Sequence, residues 1–313
     1  MVELEPVDAV EVTLVVDNFV DILMAGGEGV RRFPLAYDFL DRRQLVAEHG
    51  FSALVTVESG GRRSSVLYDG GMTPRGLGNN LDVMEVDPTG LRAIVISYGH
   101  VDHHGGLEGL AARTGRRGCP CCSTRGRGGS ARSPSRPGPS CTCPHRAGPT
   151  WRPRAWRWWR SQAPTLLLDG QVLISGEVPR VSGFEIGFPI HKARAGDGWE
   201  PDPLILDDQN AIVDVAGKGL VVVSGCSHAG AINVLRNAQR LTGRRRVAGF
   251  VGGFHLTGAI FEPIIEPTIA AFADLGVERV VPGHCTGWKA THRLAQAMPG
   301  AFVQPSVGTV LRF

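Results

Sequence analysis

Three residues in one short loop have the types and spacing of metal ligands. The segment SYGHVDHHGGL, residues 97–107, places His100, Asp102 and His103 directly after the apolar run LRAIVIS. Imidazole and carboxylate suit a borderline divalent ion such as zinc, and a tight loop can direct both toward one centre. A polar cluster this dense beside a buried strand is costly without a partner, so the segment predicts a metal site.

Three later apolar runs share this design, because each is short, rich in β-branched residues and followed at once by a loop that carries a histidine. The runs are GLVVVSG (219–225) before His228, VAGFVGG (247–253) before His255, and VERVVPG (277–283) before His284. Buried strands read as continuous apolar runs, and the loops at one end of such strands collect functional groups. The four loops are therefore predicted to surround one pocket.

The remaining pattern predicts both sheet and helix. Residues 10–24 and 51–70 are predicted to form β-strands, and the second range is predicted to form a hairpin that turns at residues 59–61. Residues 231–241 and 266–275 are predicted helices that cover the sheets.

Isolated histidines are expected to be surface or satisfied core groups without a role. These are His49, His191 and His292. Three polar residues at strand ends can form turns or reach the pocket edge. They are Asp17, Asn18 and Asp69.

The loop at residues 97–107 resembles the metal-binding motif of the metallo-β-lactamase superfamily, His-x-His-x-Asp-His followed by two glycines, at every position but the first. Tyr98 stands where the first histidine would be. Three further segments resemble one branch of the superfamily, the dihydropterin-type synthases and their hydrolase relatives. They are SGCSHAGAINV (224–234), GGFHLTGA (252–259) and PGHCTGWKA (282–290).

The resemblance implies an α/β fold, the αββα sandwich in which two β-sheets are flanked by helices, with one or two divalent ions, zinc being the expected metal. One ion would be held by Asp102, His103 and His284. Its neighbour would use the position of Tyr98 together with His100 and a further histidine.

His228 is the candidate for that further ligand, although Cys226 lies near the place where the superfamily often has a bridging aspartate. The sequence leaves both open as ligands. Tyr98 offers a phenol with a pKa of about 10, which binds zinc poorly unless it is ionised. One of the two metal positions is therefore expected to be weak or empty.

A metal ion lowers the pKa of bound water toward neutrality, which makes a metal-bound hydroxide available for hydrolysis. Asp102 can both bind the metal and orient this nucleophile, and His255 is interpreted as a proton donor or substrate contact. The expected function is hydrolysis of a small molecule, phosphorylated or pterin-like. Two alternatives remain: a condensing synthase of pterin metabolism, and a degenerate member without a working metal centre.

Residues 113–160 differ in composition from the rest of the chain, since they are rich in Arg, Pro, Ser, Gly, Cys and Trp and show no periodicity. A disordered basic insertion is one interpretation. The other is translation out of frame, because Trp and Cys codons read one nucleotide earlier give codons for Leu, Val or Met. The full length, 1–313, is otherwise expected to form a single domain.

The same stretch distorts the bulk composition. The net charge is +3, but residues 113–160 contain 12 of the 33 basic residues and no acidic ones. Without them 21 basic residues face 30 acidic ones, a net charge of −9, so no nucleic-acid partner is expected. Five of the seven cysteines also lie there, and only Cys226 and Cys285 remain, so no structural disulfide is expected. The acidic N-terminus and the absence of a long apolar run predict a cytoplasmic protein without a membrane partner.

Overall fold

Two β-sheets packed face to face form the centre of the structure. The computed structural model describes residues 1–34, 43–114, 121–123, 158–195 and 197–313. The strands are β1 (Ala9–Val16), β2 (Val30–Arg31), β3 (Ser52–Ser59), β4 (Arg62–Tyr68), β5 (Ala93–Ile96), β6 (Cys121–Ser123), β7 (Trp158–Arg160), β8 (Thr165–Leu167), β9 (Val172–Ile174), β10 (Lys192–Ala195), β11 (Gly198–Pro201), β12 (Asn210–Val215), β13 (Gly219–Ser224), β14 (Val247–Gly253), β15 (Val280–Gly283) and β16 (Val310–Arg312). The helices are α1 (Pro74–Val83), α2 (Val101–His104), α3 (Leu107–Thr114), α4 (Ala231–Thr242), α5 (Ile265–Asp274) and α6 (Trp288–Ala297). Short 3₁₀ turns span Pro88–Gly90, Glu262–Ile264 and His284–Thr286.

Within the described residues, the first sheet has the strand order β2-β16-β1-β3-β4-β5-β6-β7 and the second has the order β15-β14-β13-β12-β9-β8. In the first sheet the strands from β4 to β7 run parallel and the others antiparallel. In the second sheet β13, β14 and β15 run parallel. Strands β10 and β11 form a separate antiparallel hairpin. The parallel strands direct their carboxyl ends, and the loops that follow, to a common edge of each sheet.

The alternation of side chains along β13 explains how the layers are held together. Val221 and Val223 lie in the core between the two sheets, together with Val12 and Val55 of the first sheet. Leu220 and Val222 point to the opposite face, because successive residues of a strand face opposite sides. There they lie in one apolar cluster with residues of the helices α4, α5 and α6. This strand is therefore buried on both faces, which is why its sequence is continuously apolar.

The outer face of the first sheet is covered in the same way. Leu67 and Ile94 of β4 and β5 share an apolar cluster with Leu77 of α1 and with Leu107 and Leu110 of α3. Helices thus flank both sheets, and the predicted αββα sandwich is confirmed.

Several predicted elements agree with the structure in detail. The predicted hairpin corresponds to β3 and β4, and the two predicted helices correspond to α4 and α5. The prediction of strand across residues 10–24 was wrong in its second half, because β1 ends at Val16. Asp17 ends the strand, since its carboxylate accepts hydrogen bonds from the backbone N–H of Asn18 and of His284.

Most of the stretch 113–160 lies outside the described residues, so the frameshift hypothesis stays a prediction, as does the single domain. No helix in the described ranges is long and apolar enough to cross a membrane.

Candidate metal centre

The loops that follow β1, β4, β5, β13, β14 and β15 meet at one end of the sandwich. They bring together most of the side chains that the sequence singled out. Among the described residues the site contains three groups of possible ligands. Two of them share Cys226, and the third, which consists of His49, Asp102 and His284, shares His284 with the first.

The first group consists of His103, Cys226 and His284, each buried and each with a ligand atom within 4.8 Å of the others. His103 Nε2 lies 3.4 Å from Cys226 Sγ. Asp102 joins this group, because its Oδ2 lies 3.2 Å from His284 Nε2 and 3.7 Å from His103 Nε2. The three residues predicted to hold one ion, Asp102, His103 and His284, are thus neighbours in the structure.

Asp102 and His103 each shift the pKa of the other. Burial opposes ionisation of Asp102, but the adjacent imidazoles of His103 and His284 outweigh it and hold the pKa of the carboxyl well below its ordinary range. Burial also lowers the pKa of His103, whereas Asp102 and Asp69 raise it, with a net value of about 9. A metal ion binding here would therefore displace a proton from His103 Nε2.

Asp69 orients His103 from behind. Its Oδ2 lies 2.7 Å from His103 Nδ1, and the backbone N–H and hydroxyl of Ser97 also donate to this carboxylate, each at 2.7 Å. A carboxylate only accepts, so Nδ1 carries the proton and Nε2 is the atom that faces Asp102 and Cys226. Such a carboxylate behind a ligating histidine is the usual way in which proteins fix the tautomer and ring orientation.

We expect Asp69→Asn to weaken metal binding by roughly 10- to 100-fold while the chain still folds. The Asn amide can still accept from Ser97, but its NH₂ would donate to His103 Nδ1 and would leave the proton on Nε2, where the metal should bind. Titration with Zn²⁺ in competition with a chelating dye measures the effect. Asp82→Asn, at an exposed carboxylate paired with Arg113, is the control, and equal affinity of the two variants would contradict the assigned role of Asp69.

His284 is held in the same manner by residues that follow β1. Asp17 Oδ1 accepts from the backbone N–H of His284 at 2.8 Å, and His284 Nδ1 donates to Asn18 Oδ1 at 3.2 Å. The Asn18 amide in turn donates to the His284 carbonyl at 3.1 Å. These contacts leave His284 Nε2 directed at Asp102.

The second group consists of Cys226, His228 and His255, with ligand atoms again within 4.8 Å of one another. Both ring nitrogens of His228 and the Nδ1 of His255 are buried without a hydrogen-bond partner among the described residues. Burial, with His255 close by, lowers the pKa of His228 well below its ordinary value, so its ring is neutral. Buried polar atoms without partners are costly. Imidazoles and a thiol around one buried space, with the Asp102 carboxylate close by, fit a divalent ion such as zinc.

Tyr98 packs into the middle of this cluster and is 2% exposed. Its ring centroid lies 4.5 Å from those of His100 and His103 and 4.8 Å from that of His228. Burial raises the pKa of the Tyr98 phenol well above its ordinary value, so it does not offer an ionised oxygen. The phenol is part of the site but not a good ligand.

His100, a predicted ligand, lies in none of the three groups. Its Nε2 is instead 3.0 Å from Nε2 of His191, a residue that the sequence analysis left without a role. His49 was also missed: its Nε2 lies 3.7 Å from Asp102 Oδ2. Neither histidine follows a buried strand, so no local signal could have found them. Asp17, Asn18 and Asp69, for which the sequence left open a turn or a place at the pocket edge, lie against His284 and His103 at the pocket.

Glu185 caps the N-terminus of α4, the helix that follows His228 in the chain. Its two carboxylate oxygens accept from the backbone N–H of Ile232 (2.8 Å) and Asn233 (3.0 Å) in the first turn of α4. Gly230 precedes the helix with φ of 103°, and a Cβ there would lie 2.4 Å from the Glu185 carboxylate. Burial raises the pKa of Glu185 to about 7, although the two N–H donors lower it.

A pH dependence of stability follows. The folded-state pKa of Glu185 is raised above its ordinary 4.5, so the folded protein binds the proton more tightly, and this contribution is complete at low pH and lost as the pH rises to about 7. The free energy of unfolding should fall by roughly 3 kcal/mol across this range. Urea unfolding of metal-free wild type and Glu185→Gln from pH 4.5 to 7.5 measures it. A difference between the two proteins that does not vary with pH would contradict this prediction.

No protein-family profile matches the sequence. The chain is 27% identical over 294 residues to the 7,8-dihydropterin-6-methyl-4-(β-D-ribofuranosyl)-aminobenzene-5′-phosphate synthase of Methanocaldococcus jannaschii, across 91% of this chain and 97% of that protein. It is 26% identical over 279 residues to an uncharacterized protein of the same archaeon, across 86% and 95% of the two chains. A crystal structure of a metal-dependent hydrolase of the β-lactamase superfamily superimposes with a TM-score of 0.70 at 24% identity, covering 97% of this chain and 98% of the other.

The sandwich of two sheets, with its histidine-bearing loops at one end, is the fold of the metallo-β-lactamase superfamily, as the sequence resemblance predicted. In sequence the chain resembles the archaeal synthase along nearly its whole length.

Proposed function

We propose that this chain is a metal-dependent hydrolase of a small phosphorylated or ester substrate. The observation that carries the proposal is the pair of ligand groups that share Cys226, in which both ring nitrogens of His228 and the Nδ1 of His255 are buried without a hydrogen-bond partner among the described residues. A structural role would not require so many unsatisfied nitrogens around one space. The named enzymes among its relatives support an enzymatic role.

Asp102, His103 and His284 are proposed to hold one ion. His228 is the proposed ligand of a neighbouring ion, and Cys226 the ligand shared between the two. This answers, as a proposal, the choice between His228 and Cys226 that the sequence left open, because both lie in the second group. Burial raises the pKa of the Cys226 thiol well above its ordinary value, so a metal must displace its proton before the sulfur can bind.

A divalent ion bound at these residues supplies Lewis acidity and lowers the pKa of water toward neutrality. The chain's own residues then position the reaction. Asp102 stays ionised and can accept a hydrogen from the attacking water, which orients a lone pair toward the substrate. His255 is the one partly exposed member of its group, so it can contact substrate and donate a proton to the leaving group.

A cavity of about 610 Å³ beside His284 suits a small-molecule substrate. Phe19 and Trp288 form apolar walls, and the Trp288 side chain is 72% exposed, which is unusual for the largest apolar residue. Exposed aromatic walls next to a catalytic centre favour a substrate with a flat apolar part. This supports a substrate that joins such a group to a hydrolysable ester or phosphate.

The similarity to the archaeal synthase favours a second candidate, a condensing enzyme of pterin metabolism. The two functions differ in their substrate requirement, because hydrolysis needs one organic substrate and condensation needs two. A chain that has lost its metal centre is the third outcome, since Tyr98 removes one nitrogen ligand.

Metal analysis and substrate screening together test the proposal. Purified protein should contain one or two zinc or similar ions per chain, and it should hydrolyse aryl phosphodiesters or esters in a reaction that a chelator abolishes and added Zn²⁺ restores. Turnover only when a pterin and a second aromatic substrate are both supplied would establish the condensing enzyme instead. A chain that binds no metal at any tested concentration would overturn both enzyme proposals.

A further inference from the structure

The replacement of the first motif histidine by Tyr98 removes one nitrogen from the second metal position. A different histidine lies close to that position in space. His191 is 4% exposed, and its Nε2 lies 3.0 Å from Nε2 of His100, with the two ring centroids 5.2 Å apart.

The hairpin of β10 and β11 holds His191 in this orientation. The backbone N–H of Asp202 donates to the His191 carbonyl at 3.0 Å, which extends the hairpin ladder by one residue pair beyond Lys192 and Pro201. The backbone N–H of His191 donates to the Phe188 carbonyl at 2.9 Å. The residue is thus fixed on both sides by main-chain hydrogen bonds.

The ring itself is also fixed. His191 Nδ1 lies 2.8 Å from the carbonyl oxygen of Asp202. A carbonyl oxygen only accepts, so Nδ1 carries the proton, and in the neutral ring Nε2 is left with a lone pair that points at His100. A metal-ligating histidine almost always donates its other N–H to a carbonyl or a carboxylate in this way.

We propose that His191 replaces the missing motif histidine as a metal ligand, so that Nε2 of His100 and Nε2 of His191 bind the second divalent ion together, beside His228. The inference rests on the proposed metal centre and adds a ligand to it. It also accounts for the position of His100, which lies outside all three groups of possible ligands but faces His191.

A shared proton is the competing explanation, because 3.0 Å is also a hydrogen-bond distance. Two nitrogens bound to one tetrahedral zinc lie ~3.4 Å apart, which requires a movement of only a few tenths of an ångström. A hydrogen bond would satisfy His100 and His191 alone. His228, whose ring centroid is also 5.2 Å from that of His100, would keep two buried nitrogens without a partner in the described structure. An ion held by His100 and His191 would give all three imidazoles a partner once the His228 side chain shifts toward it, because these three residues do not form one of the groups whose ligand atoms already lie within 4.8 Å of one another.

Metal titration of four proteins tests the inference, with Zn²⁺ equivalents counted by elemental analysis and the visible absorption of the Co²⁺ form recorded. The proteins are wild type, His191→Ala, His191→Ala combined with Tyr98→His, and His292→Ala as the control at an exposed histidine. The wild type should bind two ions, and His191→Ala should weaken the second by about a hundredfold. Tyr98→His should restore the second ion in the His191→Ala background, because it returns a nitrogen to the same position.

The restored binding separates a ligand from a structural residue, since a hairpin damaged by the substitution would not be repaired at residue 98. His191→Gln, which retains most of the side-chain volume, should lose the second ion as well if circular dichroism shows His191→Ala to be unfolded. Unchanged binding in His191→Ala or His191→Gln would overturn the inference, as would a loss that Tyr98→His fails to restore. Absence of metal in the wild type would instead overturn the proposed function itself, so the two failures are distinguishable.

Discussion

Asp102→Asn should lower hydrolytic activity by at least about a thousandfold, because the substitution removes a metal ligand and the group that orients the attacking water at once. In the structure one carboxylate oxygen of Asp102 faces three imidazoles, at 3.2 Å from His284 and 3.7 Å from both His103 and His49. An amide keeps the shape of this side chain but loses the negative charge. Loss of one ligand should also weaken the first metal position by about a hundredfold.

Asp214→Asn is the matched control for this substitution. Asp214 is a buried aspartate near the opposite end of β12, where it pairs with Arg244 at 2.8 Å. Its substitution should cost some stability and leave metal content and activity unchanged. Activity at saturating Zn²⁺, measured for both variants, separates the chemical role of Asp102 from its part in metal affinity. An Asp102→Asn protein with the activity of the Asp214→Asn control would exclude Asp102 from the reaction.

The sequence was most informative where one strand and the loop after it contain the whole signal. Val221 to Val223 read as a buried strand because both faces of β13 are covered, and Cys226 and His228 follow it directly. The same pattern, a buried strand followed by a loop with a histidine, predicted the positions of His255 after β14 and His284 after β15. Four strand ends that meet at one edge of a sandwich therefore predicted much of the site.

Contacts between distant segments were beyond this reasoning. His191 reaches His100 across 91 residues, and the hairpin that directs it there has no metal-binding pattern of its own. Asp69 lies 34 residues before His103, and its sequence context, a strand followed by glycines, is equally typical of a turn. The partners that orient ligands come from whichever neighbouring strand the fold supplies, so spacing along the chain does not reveal them.

Tyr98→His should strengthen binding of the second metal ion by about a hundredfold in the His191→Ala background, where that position lacks a nitrogen, while it destabilises the metal-free protein. A structural zinc site of four ligands binds with roughly 10–16 kcal/mol, so one ligand contributes about 3 kcal/mol, or a hundredfold in affinity. The loss of stability comes from packing. Tyr98 is among the largest fully buried side chains, in a small apolar cluster with Ile205, Cys226 and Cys285. A smaller ring there should reduce the free energy of unfolding by about 1–2 kcal/mol.

Tyr98→Phe separates the ring from its hydroxyl. The hydroxyl is buried without a hydrogen-bond partner in the described structure, so its removal should leave the stability of the metal-free protein unchanged or slightly raised. Metal affinity should also stay at the wild-type value, because a neutral phenol is a poor ligand for zinc. Zn²⁺ titration and urea unfolding in the presence of a chelator measure both quantities. If Tyr98→Phe lost the second ion, the phenol would have to be a ligand itself, and Tyr98 rather than His191 would be the replacement for the motif histidine.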